Sequence, residues 1–166
     1  MIYEFTINDI PCEQLGVTIG RGSVDALHTP VQRKDYITNE NASINGVQYL
    51  TDKDYMPKFA SRDVSIVVYL EAASKESYWT AYDRLCNLLN AGVVTIAETV
   101  YEDGADDTDT YVVYRLIFKS CTQFSEYNGR MAKLLLRFTE PDPTNRDIYA
   151  YGSRGSKNIQ RKSFRG

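Results

Sequence analysis

Asp63-Val64-Ser65-Ile66-Val67-Val68-Tyr69-Leu70 carries the clearest periodicity in the chain. Val64, Ile66, Val68 and Leu70 fall on one face of a strand and Asp63, Ser65, Val67 and Tyr69 on the other, so one face is core. Ser74 follows as a helix N-cap, with Glu76 placed in the first turn where the helix dipole favours a negative charge. Tyr78, Ala81, Tyr82, Leu85, Leu88 and Leu89 then keep the spacing of one apolar stripe until Asn90-Ala91-Gly92 stops the helix. A lone helix with one apolar stripe needs a sheet to cover it.

Strands surround this unit on both sides. Upstream, Ile2 to Ile7 alternates with period two, the Asn8-Asp9 turn leads to Ile10-Pro11-Cys12, and Leu15 to Ile19 alternates again. These segments read as a hairpin whose end is loosened by Gly20 and Gly22, taken as turn residues. Downstream, Val93 to Glu98 and Tyr111 to Lys119 flank an acidic loop, and Arg130 to Thr139 alternates until Glu140-Pro141-Asp142-Pro143 ends it, since proline cannot continue a ladder. The fold class is therefore mainly β (α+β): an antiparallel β-sandwich or partly open barrel with one packed α-helix near residues 75–90. From Thr29 to Lys58 the sequence turns polar and irregular, a long excursion holding one or two short strands, and stretches of that length are usually functional.

The 166 residues, 43% apolar and 25% charged, suit one domain. Such a domain buries roughly 68–70% of its unfolded surface, so stability demands no disulfide, metal or cofactor. With no long apolar run and no basic, apolar start, the chain reads as soluble and made in a cytoplasm, without a membrane partner. Cys12, Cys86 and Cys121 are odd in number and widely spaced, and His28 is the one histidine, so a zinc site or disulfide framework is not expected.

No motif carries catalysis. Glu102, Asp103, Asp106, Asp107 and Asp109 depart from the spacing of a calcium loop and read as a solvated hairpin tip. The glycines of Gly20-Arg21-Gly22-Ser23 lack the lysine of a phosphate loop, and no serine or cysteine sits in a nucleophile motif beside which His28 could serve as base. The expectation is a non-enzymatic protein with no catalytic, cofactor-binding or metal-binding residues and no small-molecule substrate. Trp79, the single tryptophan, lies one position off the helix stripe; its size assigns it to the core, with a boundary position facing a neighbouring subunit as the alternative.

Charge divides the chain. Residues 1–143 carry 13 Lys and Arg against 21 Asp and Glu, whereas 144–166 carry Arg146, Arg154, Lys157, Arg161, Lys162 and Arg165 against Asp147 alone. The organisation expected is a body over 1–143, with its excursion at about 29–58, and a basic C-terminal arm over 144–166 that is short of core-forming residues and flexible in isolation. Those six basic residues are the candidate subunit-interface residues, since the acidic body of another copy offers them complementary charge. Nucleic acid is the alternative partner, bound through the same arm with Tyr149 or Tyr151 stacking on bases. Removal of everything after Pro143 is expected to weaken assembly and leave the fold intact.

Asn45-Gly46 in the excursion, Arg62-Asp63-Val64-Ser65-Ile66, Tyr82-Asp83-Arg84-Leu85-Cys86-Asn87-Leu88-Leu89, Gly92-Val93-Val94-Thr95-Ile96 and Leu136-Arg137-Phe138-Thr139-Glu140-Pro141-Asp142-Pro143 are together similar to the N-terminal domain of distal tail proteins of long-tailed bacteriophages. The resemblance covers about residues 1–143. It implies a structural subunit of a phage or prophage tail, forming a hexameric ring that joins the tail tube to the baseplate or host-binding tip. The implied partners are copies of itself and other tail proteins, and the implied location is the virion tail after synthesis in the bacterial host cytoplasm. Many members carry a second, carbohydrate-binding-like domain, for which this chain has no room. A minimal distal tail protein, a tube-related subunit and another baseplate component all stay open.

Overall fold

A computed structural model describes residues 2–101, 108–152 and 160–161. The chain runs β1 (Ile2–Ile7), β2 (Ile10–Pro11), α1 (Cys12–Leu15), β3 (Val17–Ile19), α2 (Arg21–His28), β4 (Thr38–Asn39), β5 (Gln48–Tyr49), β6 (Arg62–Glu71), α3 (Lys75–Leu89), β7 (Val93–Tyr101), β8 (Thr108–Ser125), β9 (Met131–Glu140), β10 (Asp147–Gly152) and β11 (Gln160–Arg161). The main sheet is antiparallel, in the order β2-β1-β7-β8-β9-β6-β3, and curls into a half-barrel. This is the partly open barrel expected from the alternating strands.

The alternation of β6 is reproduced across its neighbour: Val64, Ile66, Val68 and Leu70 stand opposite Phe138, Leu136, Leu134 and Ala132 of β9, and all eight are buried. Helix α3 lays Tyr78, Ala81, Leu85 and Leu89 into the same core. Burial of each leucine is worth about 1.5–3 kcal/mol, so this one stripe fastens the helix to the sheet. Its N-cap forms as the sequence dictates, Ser74 Oγ accepting the amide of Ser77 at 3.1 Å while Ser77 Oγ accepts that of Ser74 at 2.9 Å. The 18-residue β8 pairs with β7 and β10 along its first half and with β9 along its second. Two register shifts, between Phe118 and Ser120 and between Cys121 and Gln123, add the local twist that curls the sheet.

Four expectations change. The Asn8-Asp9 turn does close a hairpin, with both residues at positive φ and Ile7 opposite Ile10, but Leu15 to Ile19 does not join it. Cys12–Leu15 closes into a helical turn and Gly16 reverses the chain at φ 69°, sending β3 to β6 instead. A Cβ on Gly16 would lie 2.6 Å from the carbonyl oxygen of Glu71, so that position needs glycine on both counts. Gly22 is not a turn residue: it lies inside α2, an eight-residue helix, so α3 is not alone. Ser23 and Leu27, four residues apart, are its buried stripe, too short a signal to show as periodicity. Trp79 is exposed, not core, because the stripe beside it already fills the space under the helix. Finally, the sheet continues past Pro143: β10 pairs with β8 from Asp147 opposite Val113 to Gly152 opposite Thr108. Of the acidic hairpin tip, residues 102–107 lie outside the described residues, and Asp109 is in β8.

Candidate assembly interface

Two segments leave the half-barrel near one of its ends, and the same carboxylate holds both roots. Parity puts Arg62 and Glu140 on the buried faces of β6 and β9, where they stand opposite one another in register. Glu140 is buried, and a carboxylate taken from water needs charged partners. It has two: Arg146, with Nη2 at 2.6 Å and Nε at 3.0 Å from Oε1, and Arg62, with Nη2 at 3.3 Å from Oε2. Arg62 turns its other nitrogen to the end of α2, Nη1 donating to the carbonyls of Thr29 at 2.7 Å and Leu27 at 3.0 Å. A guanidinium there satisfies orphan helix carbonyls and meets the negative end of the dipole. Thus Arg62 anchors the start of the excursion, and Arg146 anchors the C-terminal segment.

The same end holds Glu98, buried on β7, whose Oε2 lies 2.7 Å from His28 Nε2 at the end of α2. Burial, and after it the Glu98 carboxylate, push the Tyr114 phenol up to about 12, against the pull of Arg146 and Arg62. The Arg146 guanidinium carbon sits 5.1 Å from the centre of the Tyr114 ring. Burial likewise lowers Arg62 from its ordinary value, with Glu140 opposing.

The excursion is a stalk with a tip. Lys34 donates to the carbonyl of Lys58 at 2.9 Å, Ala60 to that of Gln32 at 2.8 Å, and Arg33 lies 4.5 Å over the ring of Phe59, tying the two sides together. Beyond them β4 and β5 pair through Thr38 opposite Tyr49 and Asn39 opposite Gln48. Of the ten large apolar side chains exposed among the described residues, six lie here: Tyr36, Ile37, Val47, Tyr49, Leu50 and Tyr55. A second exposed patch joins α3 to the β8–β9 turn, where Trp79 meets Tyr82 at 5.3 Å and Tyr127 at 6.4 Å between ring centres, and Phe124 meets Tyr127 at 6.2 Å. Trp79 is 52% exposed and Phe124 and Tyr127 are 49% exposed.

Of the six basic residues singled out in the sequence, Arg146 is turned inward onto Glu140 in its own chain, and Arg161 is in β11, opposite Tyr149 of β10. Arg154, Lys157, Lys162 and Arg165 lie outside the described residues. Sequence reading missed Arg62 and Glu140 as partners of Arg146, although the strand alternation that buries Val64 and Phe138 extends to both. Cys12 is buried, which pushes its thiol up to about 12, and Cys121 is exposed. Among the described residues no group of three or more His, Cys, Asp and Glu side chains is gathered for a metal, and no helix is long and apolar enough to cross a membrane.

No family model and no curated protein matches the chain. Among solved structures the chain is similar to the crystal structure of the Dit (gp 19.1) protein of SPP1, described as a paradigm of the hub adsorption apparatus in Gram-positive infecting phages. The two share 13% identity with a TM-score of 0.48, over 91% of this chain and 53% of that one. This chain thus spans about half the length of that protein.

Proposed function

We propose that this chain is a non-enzymatic structural subunit of a phage or prophage tail, assembling with copies of itself into a ring, six in number, that joins the tail tube to the baseplate or tail tip. The observation that carries the reading is the excursion: a braced stalk whose tip presents six exposed large apolar side chains. Contiguous apolar surface on a folded chain marks an interaction site. A ring requires each subunit to offer one surface and receive another, so that the contacts close by rotation. The excursion is the offered surface in this reading, and the Trp79, Phe124 and Tyr127 patch supplies aromatic side chains of the kind enriched at interfaces. The sequence resemblance to distal tail proteins names the assembly. The body runs on through β10 to Gly152, and the basic arm is the C-terminal segment that follows it.

The test is genetic and structural together. Particles from which this chain is deleted should show tube ends without a joined tip and lose infectivity, with an epitope on the excursion locating the protein at the tail end in labelled wild-type particles. Fully infectious deletion particles would overturn the assignment.

A further inference from the structure

The half-barrel has a seam, and the hydrogen-bonding groups along it point into open space. Glu71 donates to Gly16 at 2.9 Å and Gly20 to Val67 at 2.8 Å, which makes Thr18 of β3, with Gly16 and Gly20 on either side of that strand, the positions that bond to β6. In an antiparallel ladder alternate residues aim their N–H and C=O groups to opposite sides, so those of Val17 and Ile19 point away from β6. Across the seam, Asn8 donates to Thr95 at 2.8 Å, so even-numbered residues of β1 bond to β7 and the groups of Tyr3 and Phe5 point away from it. β2 covers only Thr6 and Ile7 on that side, and among the described residues no strand pairs with the outer edge of Tyr3 to Phe5 or of β3.

Between these edges lies a cleft of about 1010 Å³, with Phe5, Val17 and Val24 in its wall. Its charged lining includes Glu13 and Asp25, both exposed, against Arg21, an acidic balance. Two facing open edges with apolar walls make a receptor for an added strand, main-chain bonds giving affinity and the walls giving selection.

We propose that this seam accepts an extended segment from the basic arm, residues 153–166, of a second copy, whose two-residue β11 leaves the edge of β10 to reach it. The inference rests on the self-assembly reading above. The arm's sequence carries Arg154, Lys157, Arg161, Lys162 and Arg165 and no acidic residue, the complement of the cleft. In its own chain β11 lies on the far edge of β10, with β10, β8 and β7 between it and β1. A neighbour's arm in the seam completes the half-barrel and gives the head-to-tail contact a ring needs.

A charge swap in the full chain tests this. Glu13→Lys with Asp25→Lys alters two exposed side chains of the receptor, and Arg154→Glu with Lys157→Glu alters the donor. Each double variant should retain the wild-type circular dichroism spectrum and associate at least tenfold more weakly by sedimentation velocity. An equimolar mixture of the two should recover association, because one cross-pairing puts the reversed arm into the reversed cleft. Amide exchange at Val17 and Ile19 should slow on assembly of the wild type. Unchanged association of either variant, or no recovery on mixing, overturns the seam as the receptor while wild-type association upholds self-assembly. A wild-type chain that does not associate at all overturns both readings.

Discussion

Arg146 Nη2 lies 2.6 Å from Oε1 of Glu140, six residues back along the chain, and with that contact a basic residue of the C-terminal segment becomes part of the interior. The charge asymmetry of the sequence marks this residue as one that reaches outward. The buried carboxylate instead takes it inward, because a Glu140 left with Arg62 alone would cost more than an exposed arginine gains. Through Arg62 the same carboxylate reaches the end of α2, where the excursion begins.

Arg146→Ala should destabilise the fold by about 3 kcal/mol or more, the cost of leaving a buried charge with one partner removed. Urea unfolding of the wild type and the variant measures it. Arg146→Lys, which keeps a cation beside Glu140, should cost less than Arg146→Ala.

The two places at which the chain can be shortened should differ. Removal of everything after Pro143 takes away β10, uncovers one edge of the first half of β8 and leaves Glu140 with Arg62 alone, so thermal stability should fall sharply. That reverses the expectation drawn from the sequence, in which this truncation spared the fold. Removal after Gly152 keeps β10 and Arg146, and should preserve the melting temperature within a few degrees while weakening association. Scanning calorimetry and sedimentation on the pair separate the two effects.

Stability should fall between about pH 10 and 12, in part through Tyr114. Its phenol stays protonated in the native state up to about pH 12, whereas in the unfolded chain it ionises near 10. Across that window the unfolded state binds fewer protons, so the contribution is whole below pH 10 and is lost as pH rises through the folded value. About 2–3 kcal/mol is at stake at one and a third kcal/mol per pH unit. Tyr114→Phe should flatten the decline by that amount in denaturant titrations at pH 9.5 and 11.5.

The single tryptophan reports on the exposed aromatic patch. In dissociated protein Trp79 should emit as a water-exposed indole and be quenched readily by acrylamide, as its 52% exposure requires. If the patch lies in a subunit contact, its emission shifts to the blue and quenching falls as concentration rises. Emission that ignores concentration while the protein associates would place the contact elsewhere.

Most of the fold was legible because its long elements carry long signals. β6, α3 and β9 each show enough periods to fix both type and buried face, and Ser74 marks its helix start by capping chemistry alone. What escaped was short or set by distant partners. α2 has one buried pair and a glycine in its first turn, and its Ser23 is justified only by Val67, whose amide it accepts at 2.8 Å from 44 residues away. The pairing of β3 follows from the reversal at Gly16, which no alternation encodes. At the candidate interface the excursion was plain in composition. The turning of Arg146 onto Glu140 was not, because charge counts along a sequence do not show which charges face each other.

Whether the chain closes into a ring is read by native mass spectrometry of the full chain at rising concentration, with negative-stain images of the same samples. The expected result is a closed species of six copies around an open lumen, lost when residues 36–55 are replaced by a short Gly-Ser linker that spares the half-barrel. A chain that stays monomeric at every concentration, or that associates equally well without its excursion, would contradict it.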